Sequence, residues 1–171
     1  RTAVCCLSSL SLEKYDEWKD DSNMISDVMR FLDNVLSDFI NKAPDQFKDA
    51  KYSAERERSV GLGVMGFHSF LQKHRIPLES VMAKSWNKKI FKQIDEQVNQ
   101  ASKNLAEERG ACPDAAEYGF QERFSNKTAI APTASISIIC GGASPGVEPI
   151  AANSYTHKTL SGSFNVRNRY L

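Results

Sequence analysis

The order of local patterns along this chain of 171 residues predicts an α/β fold with long helices between strands. Three observations support the prediction. Residues 1–12 combine β-branched and small residues with a serine-rich tail, as a strand that passes into a loop does. Two later stretches space apolar residues three and four positions apart, which is the period of an amphipathic helix. A short apolar stretch, residues 129–131, precedes Pro132, which ends a strand because it lacks a backbone N–H.

The first amphipathic helix is expected after Ser22, which is a suitable N-cap, and Pro44 lies beyond its end. Its apolar face consists of Ile25, Val28, Met29, Leu32, Val35, Leu36, Phe39 and Ile40. A shorter helix is expected through Phe67, Phe70 and Leu71.

The longest helix is predicted from about residue 78 to Arg109, and Gly110 supplies its C-terminal stop. Its apolar face contains Val81, Trp86, Ile90, Ile94, Val98, Ala101 and Leu105. No helix or strand is assigned to three other stretches, which are the charged residues 45–59, a loop over residues 114–127 and an irregular polar end over residues 151–170.

Composition and charge exclude several classes of protein. Apolar residues make up 41% of the chain and charged residues 25%, as in ordinary folded domains rather than disordered ones. The formal net charge is +1, so neither a nucleic acid nor a membrane surface is an expected partner. The longest apolar-periodic stretch carries several charges and no signal peptide is visible, so we expect a cytoplasmic protein. Because the chain begins with Arg1 and stops at Leu171 without a tail, we expect a piece of a longer polypeptide.

The cysteines and histidines give weak support for a metal site. No Cys-x-x-Cys or His-x-x-x-His spacing occurs among Cys5, Cys6, Cys112, Cys140, His68, His74 and His157. In a reducing compartment, a paired cysteine is more often catalytic than structural. Cys112 and Cys140 are expected to be packed core residues.

The stretch 130–149 has the composition of a backbone that approaches a ligand closely. It is rich in small, hydroxylated and turn-forming residues, and Glu148 is its only charge. If a helix begins inside it, unpaired N–H groups, the helix dipole and the hydroxyls of Thr133, Ser135 and Ser137 make a phosphate site without lysine or arginine. The alternative is a serine-rich helix cap followed by a glycine stop, which is the more ordinary explanation from local chemistry alone.

Gly61, Gly63 and Gly66 satisfy the G-x-G-x-x-G pattern of dinucleotide-binding proteins. The context argues against that function, because the pattern follows a charged stretch instead of a buried strand. The acidic residue expected about 20 positions later would also fall near Glu79, at a helix start. The glycines are therefore expected to permit close packing where the chain enters a helix.

Five segments, in order, resemble the large, catalytic subunit of ribonucleotide reductase. They are Ala3-Val-Cys-Cys-Leu-Ser-Ser, Arg58-Ser-Val-Gly-Leu-Gly-Val-Met-Gly-Phe, Gly110-Ala-Cys-Pro, Ala131-Pro-Thr-Ala-Ser-Ile-Ser with the Gly-Gly-Ala-Ser-Pro-Gly-Val-Glu-Pro that follows it, and Lys158-Thr-Leu-Ser-Gly-Ser-Phe. Together they extend over essentially the whole chain.

The resemblance implies that residues 1–171 form a single partial domain, the central to C-terminal part of a ten-stranded α/β barrel. It also implies reduction of ribonucleotides to deoxyribonucleotides for DNA synthesis. In that reaction a cysteine thiyl radical abstracts the 3′ hydrogen, and a cysteine pair supplies two electrons and becomes a disulfide as the 2′ hydroxyl leaves as water. Cys5 matches one member of this pair, whereas its partner and the thiyl cysteine lie before Arg1 in the family's order. Cys6 stands where the family usually has asparagine, and its side chain is expected on the opposite face of the strand.

For the substrate phosphate, the resemblance implies Thr133, Ala134, Ser135 and Ile136, acting through backbone N–H groups with hydroxyl help from Thr133 and Ser135. Some family members have glutamate or glycine where Ala134 stands. This change should matter little, because the donors of such a loop are backbone groups.

The segment itself is expected to bind no cofactor and to be inactive alone. For the complete enzyme the resemblance implies the remainder of the large subunit, a small subunit with a dimetal and tyrosyl-type radical, ATP and dNTP as allosteric effectors, and thioredoxin or glutaredoxin as reductant. Residues 132–137 and the segment from Tyr155 to Phe164 are more similar to a bacterial or phage class I enzyme than to a cobalamin-dependent one, which implies a ribonucleoside diphosphate substrate. The alternative from a different class is a noncatalytic helical interaction module whose hydroxyl-rich turn is only a helix cap.

Overall fold

Parallel strands and long helices alternate in the first two thirds of the chain, and a hairpin follows near its end. The structure is a computed structural model that describes residues 1–160 and 162–171. The strands are β1 (Leu7–Ser11), β2 (Gly61–Met65), β3 (Ser154–Thr159) and β4 (Gly162–Arg167). The helices are α1 (Tyr15–Trp18), α2 (Met24–Lys42), α3 (Lys48–Glu57), α4 (Phe67–Lys73), α5 (Val81–Arg109), α6 (Pro113–Glu117) and α7 (Ile136–Ile139), with short 3-10 turns at Leu12–Lys14 and Asp45–Phe47.

Strands β1 and β2 are parallel, with Leu7 opposite Gly61 and Ser11 opposite Met65. A third extended segment, residues 126–129, runs parallel along the other edge of β2. The Leu62 N–H donates to the Lys127 carbonyl at 2.9 Å, and the Ala129 N–H donates to the Leu62 carbonyl at 3.2 Å. Two strands and one irregular segment therefore run side by side in the same direction.

The strand expected over residues 129–131 is wrong in position, because pairing with β2 ends at Ala129. The reason lies in the close approach of the chain to β2. A Cβ at Gly63 would overlap the carbonyl of Ala129, so the segment lies over the backbone of β2 at this point. Beyond it, Pro132 has no N–H with which to continue a ladder.

The structure confirms the two long helices that were predicted from the spacing of apolar residues. Helix α2 begins at Met24, two residues after the expected N-cap, and helix α5 ends at Arg109 before Gly110, which has a φ of 88°. Their apolar faces pack against each other and against β1 and β2 in one core. Val81 was expected on the buried face of α5 but is exposed, because α5 begins only there, after its N-cap Ser80.

Several elements were not predicted because they bury little apolar surface, among them α6, which occupies the start of the loop expected over residues 114–127 and buries no residue. Helix α3 buries only Ser53 and Ala54, which leaves no apolar period in its sequence. Strands β3 and β4 form an antiparallel hairpin where an irregular end was expected, and the faces of β4 are almost entirely exposed. Ser161, within that expected irregular end, lies outside the described residues.

The two cysteines that were expected in the core lie in different environments. Cys112 is fully buried, as expected, whereas Cys140 is exposed and the expectation of a core residue is wrong. Helix α7 has only four residues and buries only Ser137, so Cys140, its C-cap, remains on the solvent side. Within the described residues, no helix is both long and apolar enough to cross a membrane.

The glycine pattern lies mostly inside a strand and not in a turn after one. Gly61 and Gly63 belong to β2, and a Cβ at Gly61 would overlap side-chain atoms of Leu7 and Ala129. Gly66 has a φ of 80° and leads directly into α4. The glycines therefore serve close packing, as expected, but only Gly66 lies at the entry to a helix, whereas Gly61 and Gly63 pack between the three parallel segments, and none forms the turn of a dinucleotide site.

Candidate functional site

The candidate phosphate loop, residues 133–136, lies beyond the carboxyl end of the third parallel segment. Thr133 begins it with a φ of 52°, a conformation that β-branched residues rarely adopt. Its side chain is buried, and its hydroxyl accepts a hydrogen bond from the Gly146 N–H at 2.7 Å. Residues 133 and 146 therefore close the stretch 130–149 into a compact turn.

The backbone of the loop presents free donors to solvent. Ala134, Ser135 and Ile136 are exposed, and their N–H groups donate no hydrogen bond to any described residue. The next donor, the Ser137 N–H, is already bonded to the Thr133 carbonyl at 3.0 Å. Three adjacent unpaired N–H groups in an exposed turn are suited to an anion.

The hydroxyls of the loop are used differently from one another. Ser137 donates its hydroxyl to the Ala134 carbonyl at 3.3 Å, and Thr133 uses its oxygen for Gly146. Ser135 is the N-cap of α7, yet its side chain makes no capping hydrogen bond. A hydroxyl cap therefore does not account for Ser135, whose side chain remains available to a ligand.

Cys5 and Cys6 lie just before β1 in opposite environments. Cys5 is exposed, at an apolar groove of about 310 Å³ whose walls include Phe31 and Val35 of α2. Cys6 is buried, with its thiol toward the Leu32 carbonyl at 3.7 Å. Cys5 is therefore the more accessible of the two cysteines. Burial also raises the pKa of the Cys6 thiol.

The structure does not bring Cys5 into contact with the phosphate loop. Because the three segments are parallel, the amino end of β1 and the carboxyl end of residues 126–129 lie at opposite ends of the strands. Extending the pairing of Leu7 with Gly61 places Cys5 level with Ser59, whereas the loop begins beyond the level of Gly63. Four strand residues span about 13 Å. A ligand that reaches both must therefore extend along the strands.

A buried ionic cluster was missed by the sequence reading. Asp33 of α2 is fully buried and accepts hydrogen bonds from Arg58 at 2.7 Å, Arg109 at 2.9 Å and Arg123 at 2.9 Å. Burial alone would raise the pKa of Asp33, but hydrogen bonds from Arg123 and the charge of Arg58 outweigh it and hold this pKa below its usual value. The one sequence signal for this cluster was Asp33 itself, an acidic residue next to the apolar face of α2.

A second cluster connects the end of the chain to β1. Glu13, which is buried just after β1, accepts a hydrogen bond from the Tyr170 hydroxyl and pairs with Arg169. Burial and the bond to Glu13 raise the pKa of Tyr170 to about 12. Arg169 also donates to the Gly141 carbonyl at 2.8 Å. The residues after β4 are thereby fastened beside the stretch that follows α7.

No metal centre is evident in the part of the chain that the structure describes. There, no group of three His, Cys, Asp or Glu side chains comes together as metal ligands would.

The fold and the loop together define a class of protein, a parallel α/β domain with a loop of small and hydroxylated residues beyond the carboxyl end of its third parallel segment. The family model described as "Ribonucleotide reductase, barrel domain" matches residues 1–122 and 114–171. The chain therefore belongs to the ribonucleotide reductase barrel-domain family, which confirms both the resemblance and the α/β fold class.

Similar proteins agree with this family. The chain is 52% identical over its whole length to the ribonucleoside-diphosphate reductase large subunit of Invertebrate iridescent virus 6, and 47% identical to that of Invertebrate iridescent virus 3. It spans 18% and 27% of the lengths of these two relatives. The solved Actinobacillus ureae class Id ribonucleotide reductase alpha subunit is 41% identical with a TM-score of 0.82, over 87% of this chain and 28% of that one.

Proposed function

We propose that this chain is part of a ribonucleoside-diphosphate reductase large subunit and contributes a redox cysteine and the substrate-phosphate loop to ribonucleotide reduction. The observation that carries the proposal is the match of the barrel-domain family over residues 1–171, together with 52% identity to a relative of that name. The competing hypothesis of a noncatalytic helical module is not favoured, because it explains neither the family match nor the uncapped turn at Ser135.

The phosphate loop holds the diphosphate of the substrate. The unpaired N–H groups of Ala134, Ser135 and Ile136 supply the donors, and the exposed Ser135 hydroxyl supplies another. The Thr133 hydroxyl accepts the Gly146 N–H and so shapes the loop, while its O–H proton remains available to donate to the phosphate. None of these donors is a cationic side chain. The affinity for the phosphate therefore depends on the backbone conformation that directs the N–H groups.

Cys5 serves as one of two reducing thiols. The pair gives up two electrons and two protons and forms one S–S bond, while the 2′ hydroxyl leaves the ribose as water and hydrogen takes its place. Cys5 is accessible at its groove, as a thiol that must meet a partner cysteine and later a reductant should be. The partner cysteine and the radical cysteine belong to other parts of the large subunit.

The rest of the enzyme completes the reaction. A class I small subunit supplies the dimetal and tyrosyl-type radical, ATP and dNTP regulate the large subunit, and thioredoxin or glutaredoxin reduces the disulfide. The name of the relatives supports a diphosphate substrate, and the class Id title of the solved structure supports a class I radical source. The site of action is the cytoplasm, where the deoxyribonucleotides serve DNA synthesis.

Replacing Ser135 by tryptophan in the complete large subunit tests the phosphate loop. The indole would cover the N–H groups of the turn, so we expect the affinity for CDP, measured by isothermal titration, to fall at least about tenfold, which is about 1.4 kcal/mol. The exposed position predicts an unchanged melting temperature. Equal affinity in a folded variant contradicts the assignment. Ile139→Trp, at an exposed residue at the far end of α7, is the matched control.

A further inference from the structure

A pair of buried serines fastens the end of the 130–149 stretch to helix α4. Ser69 in α4 and Ser144 are both fully buried. The Ser69 N–H donates to the Ser144 hydroxyl at 3.1 Å, and the Ser144 N–H donates to the Ser69 hydroxyl at 2.8 Å. The Gly66 N–H adds a third bond, to the Ser144 carbonyl at 2.7 Å. We call Ser69 and Ser144 the serine clamp.

Each bond of the serine clamp satisfies a backbone group that has no other partner. Ser69 lies in the first turn of α4, where N–H groups have no acceptor inside the helix. Ser144 lies in an irregular segment without a strand ladder. Since both residues are buried, removing either hydroxyl leaves an unpaired donor without water to replace it. The clamp therefore resists separation of residues 143–146 from α4.

The serine clamp is connected to the phosphate loop through two residues. Gly146 lies two positions after Ser144, and its N–H donates to the Thr133 hydroxyl at 2.7 Å. Thr133 has a φ of 52°, which is strained for a β-branched residue and persists only where its surroundings hold it. The Gly146 N–H thus supports Thr133 through this hydrogen bond, and the bonds of Ser144 hold the chain two positions before Gly146.

There is little freedom for the clamp to move on the side of β2. Gly66 has a φ of 80°, and a Cβ there would come within 3.4 Å of the Ala143 side chain and 3.3 Å of the Glu13 backbone nitrogen. Residues 143–146 are therefore held against the junction of β2 and α4, where backbone atoms already pack at close range.

We propose that Ser69 is a positioning residue for substrate binding. Through Ser144, Gly146 and Thr133 it holds the phosphate loop in the conformation that directs the N–H groups of residues 134–136 at the substrate phosphate. The inference rests on the proposed function, because the role of the loop in binding is itself proposed. Without the clamp, the loop populates other conformations. The apparent affinity for the substrate then falls in proportion to the fraction of molecules whose loop still has the binding conformation.

Ser69→Ala in the complete large subunit, assembled with its small subunit, tests the proposal. We expect the KM for CDP to rise about tenfold with kcat changed less than about twofold, because the competent loop fraction falls before chemistry begins. In the protein without substrate, amide hydrogen exchange over residues 133–146 should become faster. Ser53→Ala is the matched control, since Ser53 is a buried serine whose hydroxyl has no partner in the described structure.

A second variant keeps the proposal testable if Ser69→Ala disturbs α4. Ser144→Ala should give the same change in KM, and the double variant should equal either single variant, because both hydroxyls belong to one set of bonds. Additive effects, or unchanged exchange over residues 133–146, overturn the proposal. So does an unchanged KM in Ser69→Ala when Ser135→Trp weakens CDP binding.

Failure of the proposed function gives a different result. In that case Ser135→Trp leaves CDP binding unchanged, and the substrate part of the inference falls with it. Faster exchange in Ser69→Ala but not in Ser53→Ala would still support the clamp as the element that holds residues 133–146.

Discussion

Cys5 and Cys6 are adjacent in the chain, but their side chains lie in different environments. Cys5 is exposed at an apolar groove, whereas Cys6 is buried against α2 and its thiol pKa is raised by burial. The thiolate is the reactive form of cysteine, so the raised pKa and the burial of Cys6 both disfavour its reaction. At the residue scale, Cys6 is therefore a packed core side chain, whereas Cys5 is accessible from solvent.

The Cys5→Ser variant of the complete enzyme tests the redox role. Serine cannot form a disulfide, so we expect at most an incomplete first turnover and no sustained production of deoxyribonucleotide with a dithiol reductant. Product formed per large subunit under excess substrate measures this. Cys140→Ser, which removes another exposed thiol, should leave turnover close to that of the unsubstituted enzyme. Sustained turnover of Cys5→Ser would falsify the assignment.

Helix α5 shows how one long element organises its neighbours. It has 29 residues and packs against α2 with a face that includes the fully buried Ile90. The opposite face carries charged and amide side chains. At the element scale, α2 and α5 pack against each other and share one apolar core with β1 and β2.

Ile90→Ala is expected to lower the free energy of unfolding by about 2–5 kcal/mol, because it removes buried methyl and methylene groups and leaves a cavity in the core. Urea unfolding of the complete protein measures the change. Val81→Ala, in the same helix but 82% exposed, should change the free energy by less than about 0.5 kcal/mol. Similar losses for the two variants would show that α5 does not pack as described.

The Asp33 cluster connects distant parts of the chain at the scale of the whole molecule. Asp33 belongs to α2, Arg58 joins α3 to β2, Arg109 ends α5, and Arg123 lies between α6 and the third parallel segment. Arg58 has a φ of 44°, so its position also directs the chain into β2. One carboxylate thus links the elements that frame the parallel strands.

Stability should depend on pH through Asp33. Its pKa is lowered in the folded protein, so the stabilisation is present above the unfolded pKa of about 3.9 and is lost as pH falls through the folded pKa. At neutral pH, Asp33→Asn should lower the free energy of unfolding by about 3–5 kcal/mol, because the buried Arg58 and the two further arginines, Arg109 and Arg123, lose their charged partner.

Unfolding curves between pH 7 and pH 2 measure this dependence. The difference between the unsubstituted protein and Asp33→Asn should be largest above about pH 5 and should shrink below about pH 3.9. Asp38→Asn is the matched control, because Asp38 pairs with Lys42 on the exposed face of the same helix. A constant difference over the whole range is incompatible with titration of Asp33.

Much of the fold could be predicted where an apolar face imposes a period. Helices α2 and α5 were located within a few residues, because each buries one stripe against the core. Helix α3 and the β3–β4 hairpin were not, because neither buries such a stripe. The strand near residue 129 was displaced, because its end depends on the approach of Ala129 to Gly63, which are 66 positions apart in the chain.

By itself, the sequence determined the family, the helices with a clear apolar period and the residues proposed for chemistry, Cys5 and 133–136, because these depend on residue types in local order. Only the tertiary structure decided that Cys5 and the phosphate loop lie at opposite ends of parallel strands, that Asp33 gathers three arginines, and that Ser69 holds Ser144. These features are contacts between residues far apart in the chain, and the physical reason they escape the sequence is that no local pattern encodes which buried groups meet.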